Sequence, residues 1–319
     1  QLAPYDLFLQ IMKNPDQKTN YTDALKEVEA SFSRMDPSFD QIFIKTVTSN
    51  SVDVYPNPDH GKQPVQYCQD LCALKRPALL FLNYNGLIDN KITIAHEMGH
   101  AINFYLIKQS VDYLYCGGTT YEMEIPSFFN EELFVDYSIK NYDRDTAIPV
   151  LTNIITDYAN YFTFQTMITE FEHQAHQLIA QNENADGSDL NALWNDLENE
   201  YKSRKIVNYP QSEPRWTFMS RIYSTDNYYT FNYGLSKAIA LSLFKMFKEN
   251  PSDFNKNYME YLSAGTTMTP SEKLKKYFGL EINRRLFEDA MDIVKLRVNQ
   301  LEDLDKQTSN PILAQKGLE

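Results

Sequence analysis

Apolar and polar positions along this chain repeat with two periods, and the helical one dominates. Ala24, Val28 and Phe32 form one stripe, which predicts a helix from a cap at Asn20 or Thr22 to about Ser33, and a second short helix is expected within 36–50. From position 51 the period changes. SVDVYP alternates, YCQDLCAL is mixed and PALLFLNYN is a compact β-rich run, each bounded by Pro, Gly, Asn or Asp, so a small antiparallel sheet is expected over 50–85. Helical spacing resumes over about 90–108 and 122–139. It continues in a long amphipathic helix over 145–182, a helix over 189–204, the apolar stretch GLSKAIALSLFKMF, a helix capped by Thr269 and ending at Gly279, and a last helix to about 304. Residues 1–15 read as an extended lead-in, 209–216 as a loop and the tail after 305 as loose. The prediction is a mainly α chain, one domain over 1–319 with a small β-sheet.

Candidate chemistry concentrates in 91–103, KITIAHEMGHAIN. Ile94, Ala95, Met98, Ala101, Ile102 and Tyr105 fall on one buried stripe, which leaves His96, His100 and Asn103 on an adjacent face. Side chains four apart stand about 6 Å or less apart at Cβ, so both imidazoles can reach one zinc ion at roughly 2.0–2.1 Å. Glu97 projects beside them, placed to take a proton from water rather than to bind the metal. Asp89 or Asn90 is the predicted cap of this helix. On the following helix Glu124 and Glu131 are seven apart and share a face, so Glu124 can be the third ligand and Glu131 can support the site from behind. Pro126 is expected near that helix's first turn. H-E-x-x-H is short enough to arise by chance; here it holds two of only five histidines in the chain.

Composition narrows the partners. The 319 residues are 43% hydrophobic and 13% aromatic, enough for a sizeable core, and the net charge of -13 with no run of Lys or Arg excludes a nucleic-acid partner. The longest apolar run, AIALSLF at 238–244, is far short of the ~20 residues needed to span a membrane, and no signal peptide is expected. Cys68 and Cys72 read as small buried hydrophobes rather than a zinc pair, and Cys116 stands alone. That usage suits a reducing compartment, hence a cytoplasmic location. The chain opens on Gln1 rather than Met, so either a piece of a longer protein or a compact chain with an open cleft is expected. Nothing in the sequence sets the oligomeric state.

Two other groupings compete. Glu170 and His173 fit the Glu-x-x-His pattern of di-iron bundles, which need it twice; with one copy, His173 and His176 read as cleft-lining or structural. Tyr223, Tyr228, Tyr229 and Tyr233 are ordinarily core residues. A zinc hydrolase, however, needs a donor for the developing oxyanion, and a phenol can serve.

Taken in order, FLNYNGLIDNKITIAHEMGHAIN, EIPSFFNE, FQTMITEFE, YYTFNYGLSKAIAL and SAGTTMTPSEKLKKYFGL resemble segments of the M3 family of zinc metallopeptidases, within it the oligoendopeptidase F group. The resemblance covers most of 5–305. It implies a zincin-like helical metallopeptidase domain with one Zn2+ per chain on His96, His100 and Glu124, Glu97 as general base, and tyrosines of 223–233 on the substrate and transition state. The implied reaction is hydrolysis of internal bonds in short unfolded peptides by a zinc-activated water. Three departures stand out: Asn103 replaces a family histidine, Arg221 lies near the place of another, and the family's N-terminal helical domain has no counterpart. The tyrosines, Tyr229 ahead of Tyr228 and Tyr233, and Arg221 are the candidate oxyanion donors, with Arg221 read first as the partner of a surface carboxylate and second as a donor. A peptide-binding protein that keeps zinc with weak or lost turnover is the alternative.

Overall fold

The computed structural model describes residues 18–202, 215–223 and 227–306. Their elements are α1 (Tyr21–Ser31), α2 (Pro37–Val47), β1 (Val52–Asp53), β2 (Tyr67–Gln69), β3 (Leu79–Phe81), α3 (Ile88–Ser110), α4 (Thr120–Asn141), α5 (Arg144–Ala159), α6 (Gln165–Gln181), α7 (Gly187–Tyr201), α8 (Phe231–Glu249), α9 (Pro251–Ser263), α10 (Pro270–Phe278) and α11 (Arg284–Lys306). The described residues fall into two compact units, 14–155 with 236–319, and 156–235. The expected lead-in over 1–15, residues 209–214 of the expected loop and the tail after 306 lie outside the described residues.

In the larger unit α1 starts where its cap predicts, with Asn20 Oδ1 accepting from Asp23 N at 2.9 Å. The stripe Ala24, Val28 and Phe32 is buried and meets Phe39 and Phe43 of the second helix. The sheet is mixed rather than antiparallel: strand order is β1-β3-β2, with β1 parallel and β2 antiparallel to β3. A parallel pair needs a crossover of a dozen or more residues, and residues 54–78 supply it while carrying β2 on the way. Among the described residues, strand β2 therefore keeps one unpaired edge.

The next helix begins earlier than expected. α3 follows Leu87 with no side-chain cap, because Asp89 accepts from Asn153 and Asn90 Oδ1 accepts from Asn85 N instead. α4 opens with a Thr119/Glu122 capping box, and Pro126 lies inside it, in the second turn rather than the first. α3 packs chiefly on α4. Gly99 explains how closely: a Cβ there would stand 2.5 Å from Pro126 O and Ser127 Cα. Phe129 on α4 continues the core through Phe244, Phe254 and Tyr258. α10 has the predicted Thr269/Glu272 box and ends at Gly279 with φ +66°.

The cysteine reading needs correcting. Cys72 and Cys116 form a disulfide across a separation of 44 residues, and Cys68 alone stays free, half-buried on β2. Short turns at 72–74 and 113–115 bring the pair together after the chain has run out along α3.

In the 156–235 unit the helix expected over 145–182 is broken by a π turn at Asn160–Phe164. Its core is Met167, Ile168, Phe171, Trp194 and Leu197. Among the described residues no helix is long and apolar enough to cross a membrane.

Candidate metal centre

The metal-site candidates all lie in the larger unit, on two helices held in register by the Gly99 contact. His96 and His100 stand one turn apart on α3, ring centroids 5.1 Å from each other and nearly perpendicular. Aromatic side chains fix both rings: Phe128 meets His96 edge-on at 5.5 Å and Phe104 stacks on His100 at 6.2 Å. Glu124 arrives from the second turn of α4, its Oε2 3.4 Å from His96 Nε2 and 3.6 Å from His100 Nε2. Ser127 Oγ, 3.1 Å from the same oxygen, steadies it.

These separations test whether a metal fits. Donors bound at 2.0–2.2 Å around a tetrahedral ion sit about 3.4 Å from one another, and two imidazoles with one carboxylate are a donor set that zinc takes in sites with an open position. His96, His100 and Glu124 each offer an atom within 4.8 Å of the others. The residues present fit a zinc ion.

What surrounds the donors prepares them for it. His96 Nδ1 donates to Glu131 Oε1 at 2.7 Å, which turns Nε2 toward Glu124 as the ligating atom. Glu131 in turn accepts from Lys237 Nζ at 2.7 Å. Burial would raise the Glu131 carboxyl, but the Lys237 charge and the His96 bond hold it low. Burial also pushes His100 down to about 4, so its imidazole is neutral at pH 7 and ready to ligate. His96 behaves oppositely: burial works against its cation, yet the bonds and charges of Glu124 and Glu131 outweigh burial and raise it well above the ordinary value. The same partnership overcomes burial at Glu124 and lowers it to about 2.

Glu97 is not part of this donor set. It is 4% exposed, and its Oε2 is buried with no hydrogen-bond partner among the described residues. Burial, with Glu124 and Glu131 adding to it against His96, brings its carboxyl to about 7, the range of a group that both takes and returns a proton near neutrality. Burial first, then the Glu97 charge, raises the Cys68 thiol as well.

The remaining candidates lie in the other unit. Arg221 stacks over the Tyr229 ring at 4.4 Å, Tyr229 meets Tyr233 at 5.6 Å, and Tyr233 stacks on Tyr161 at 5.9 Å. Tyr228 holds φ +57°, rare outside glycine, with its N donating to buried Glu172 at 2.8 Å and its hydroxyl 3.3 Å from His173 Nδ1. His173 and His176 are exposed, and Glu170 accepts from Gln174 rather than completing a metal group. Asn103, in place of the family histidine, is buried and donates to Leu262 O at 2.8 Å. Sequence reasoning missed the role of Lys237, which reads only as the charged residue preceding the apolar run 238–244. Its one signal is a lysine between Ser236 and Ala238 where the helix pattern calls for core.

Comparison with known proteins gives one consistent result. Residues 30–293 match peptidase family M3. The chain is 25% identical over 301 residues to the chromosomal oligoendopeptidase F of Lactococcus lactis subsp. cremoris, covering 94% of this chain and 49% of that protein. It is 25% identical over 303 residues to the oligopeptidase PepF of Bacillus subtilis (strain 168), covering 94% and 44%. The fold matches the crystal structure of oligoendopeptidase-F from Enterococcus faecium with a TM-score of 0.69 at 21% identity, over 96% of this chain and 47% of that one. The chain spans about half the length of the curated relatives it matches.

Proposed function

The chain belongs to peptidase family M3, and from that premise we propose that it is a zinc-dependent metalloendopeptidase acting on internal bonds of short unfolded peptides. The observation that carries the reading is the convergence of His96, His100 and Glu124 beside a buried carboxylate, Glu97, with an unpartnered oxygen. The proposed ion is one Zn2+ per chain, held by those two imidazoles and that carboxylate; when bound, it supplies Lewis-acid activation of water and polarisation of the scissile carbonyl. Glu131 keeps the proton of His96 on Nδ1 and so leaves Nε2 as the donor. Glu97 Oε2 takes the proton of the attacking water and passes it to the departing amine nitrogen. Tyr229, then Tyr228 and Tyr233, with Arg221, are the proposed donors to the oxyanion.

The edge of β2 that no described strand pairs suits an extended peptide, because main-chain pairing reads few side chains. Cys68 on that strand feels the Glu97 charge, which supports its closeness to the reacting groups. Metal content measured together with cleavage of a mixed peptide library tests the whole reading. Wild type should bind zinc and cut, and Glu97→Gln should keep zinc and lose nearly all cleavage. Zinc binding without turnover in wild type would instead favour a peptide-binding protein. The cytoplasmic location proposed from the sparse cysteines is set against the Cys72–Cys116 bridge, since disulfides persist in oxidising compartments. Trapping free thiols in intact cells decides it: a reduced pair supports the cytoplasm, and a bridged pair removes it.

A further inference from the structure

We infer that Lys237 is a positioning residue of the metal centre, clamping Glu131 so that His96 presents Nε2 at a fixed angle and the site holds its ion tightly. The inference rests on the zinc reading above. Lys237 is 0% exposed on α8, and Ala238, Ile239, Ala240 and Leu241 after it are equally buried. A lysine in such a place loses its hydration, and an apolar residue of similar volume often serves stability as well or better. Its partners show what it does instead.

Glu131 divides its two oxygens, Oε1 to His96 Nδ1 and Oε2 to Lys237 Nζ, each at 2.7 Å. A carboxylate held from both sides cannot rotate, so the imidazole it accepts from is held as well. Lys237 also lies 3.5 Å from Glu132 Oε1, but Glu132 has a cation of its own: Arg297, fully buried, donates to its Oε2 from Nη2 at 2.9 Å and from Nε at 3.1 Å. Arg297 Nη1 also reaches Asp136 Oδ1 at 2.7 Å, and Lys248 closes on Asp136 Oδ2 at the same distance. Glu132 therefore has a counter-charge besides Lys237, whose Nζ stands closer to Glu131, at 2.7 Å against 3.5 Å. A second route leads to the same ring: Lys237 Nζ stands 4.8 Å over Phe128, the ring that meets His96 edge-on.

The test compares Lys237→Met with Glu132→Gln, which removes the other carboxylate near Lys237 but leaves Glu131 and His96 untouched. Zinc Kd is measured by competition with a chelator, the visible spectrum of the cobalt(II) form reports ligand geometry, and Tm is taken on metal-free protein. Lys237→Met should weaken zinc by about 10–100-fold, the range for losing a group behind a ligand, and shift the cobalt bands. Glu132→Gln should lower Tm and leave Kd and the bands at wild-type values. Equal Kd for wild type and Lys237→Met, or equal weakening in both variants, overturns the positioning role. If Lys237→Met gives no cooperative melt, Lys237→Gln takes its place with the same expected ordering, and a Kd equal to that of Glu132→Gln overturns the role. A wild type that fails to bind zinc sinks the metal centre itself and this inference with it, an outcome distinct from a bound ion indifferent to Lys237.

Discussion

At the scale of single residues, His96 is where metal and proton would compete, since both need its Nε2. Its pKa is raised in the metal-free protein by Glu124 and Glu131, so zinc binding near neutral pH should expel a proton and weaken as pH falls. Calorimetry in buffers of different ionisation enthalpy is the check, with about one proton released per zinc expected; none released would mean that His96 is neutral beforehand. Glu124→Ala should remove a ligand and most zinc affinity, and full retention of binding and activity would discard it as a ligand. The tyrosines call for a split readout. Losing an oxyanion donor costs on the order of 10²–10³ in kcat, whereas losing a packing ring lowers Tm. Tyr228→Phe, Tyr229→Phe, Tyr233→Phe and Arg221→Met, each measured both ways, sort the two cases, and four unchanged kcat values would clear this segment of the chemistry.

At the scale of elements, the α3/α4 crossing converts two sequence motifs into one site. Gly99 is its hinge point, because an added Cβ would meet backbone atoms of Pro126 and Ser127 at 2.5 Å, and neither can swing away. Gly99→Ala should therefore cost about 1–3 kcal/mol as overpacking does. By shifting Glu124 from the histidines it should also weaken zinc by at least the roughly tenfold that losing a group behind a ligand costs. Thermal melts and chelator competition read both, and an unchanged zinc Kd would show that the helices absorb the methyl group. Much of this crossing is legible in the primary structure. The one-turn histidine spacing and the two-turn spacing of Glu124 and Glu131 follow from helical periodicity alone. What escapes is whatever depends on distant partners. Lys237 reads as the charged start of an apolar run until α8 packs against Glu131, and the cap of α3 fails because Asn153 and Asn85 claim the candidate side chains. The strand directions escape too, since strands of two or three residues carry no directional pattern.

Across the whole molecule, buried ion pairs tie α4 to α8 and α11, and acid should loosen them. Burial works against the Asp136 carboxylate, but Arg297 and Lys248 outweigh it and lower its pKa below the ordinary 3.8. A lowered folded pKa contributes stability that is present above 3.8 and lost as pH falls through the folded value. Chemical denaturation from pH 7 down to about 2 should show that loss steepening below about 4, and Asp136→Asn should flatten it. The Cys72–Cys116 bridge acts at the same scale: closing 44 residues is worth about 4 kcal/mol in chain entropy, to be read from denaturation with and without reductant. The bridge also has a mechanical meaning. Pulled at its ends, the oxidised chain should come up short, because a 44-residue separation at roughly 3.3–3.6 Å per residue withholds about 150 Å of contour length. All of α3 lies inside that withheld length, so in optical tweezers the helix bearing both histidines should feel no tension until a phosphine reductant opens the loop.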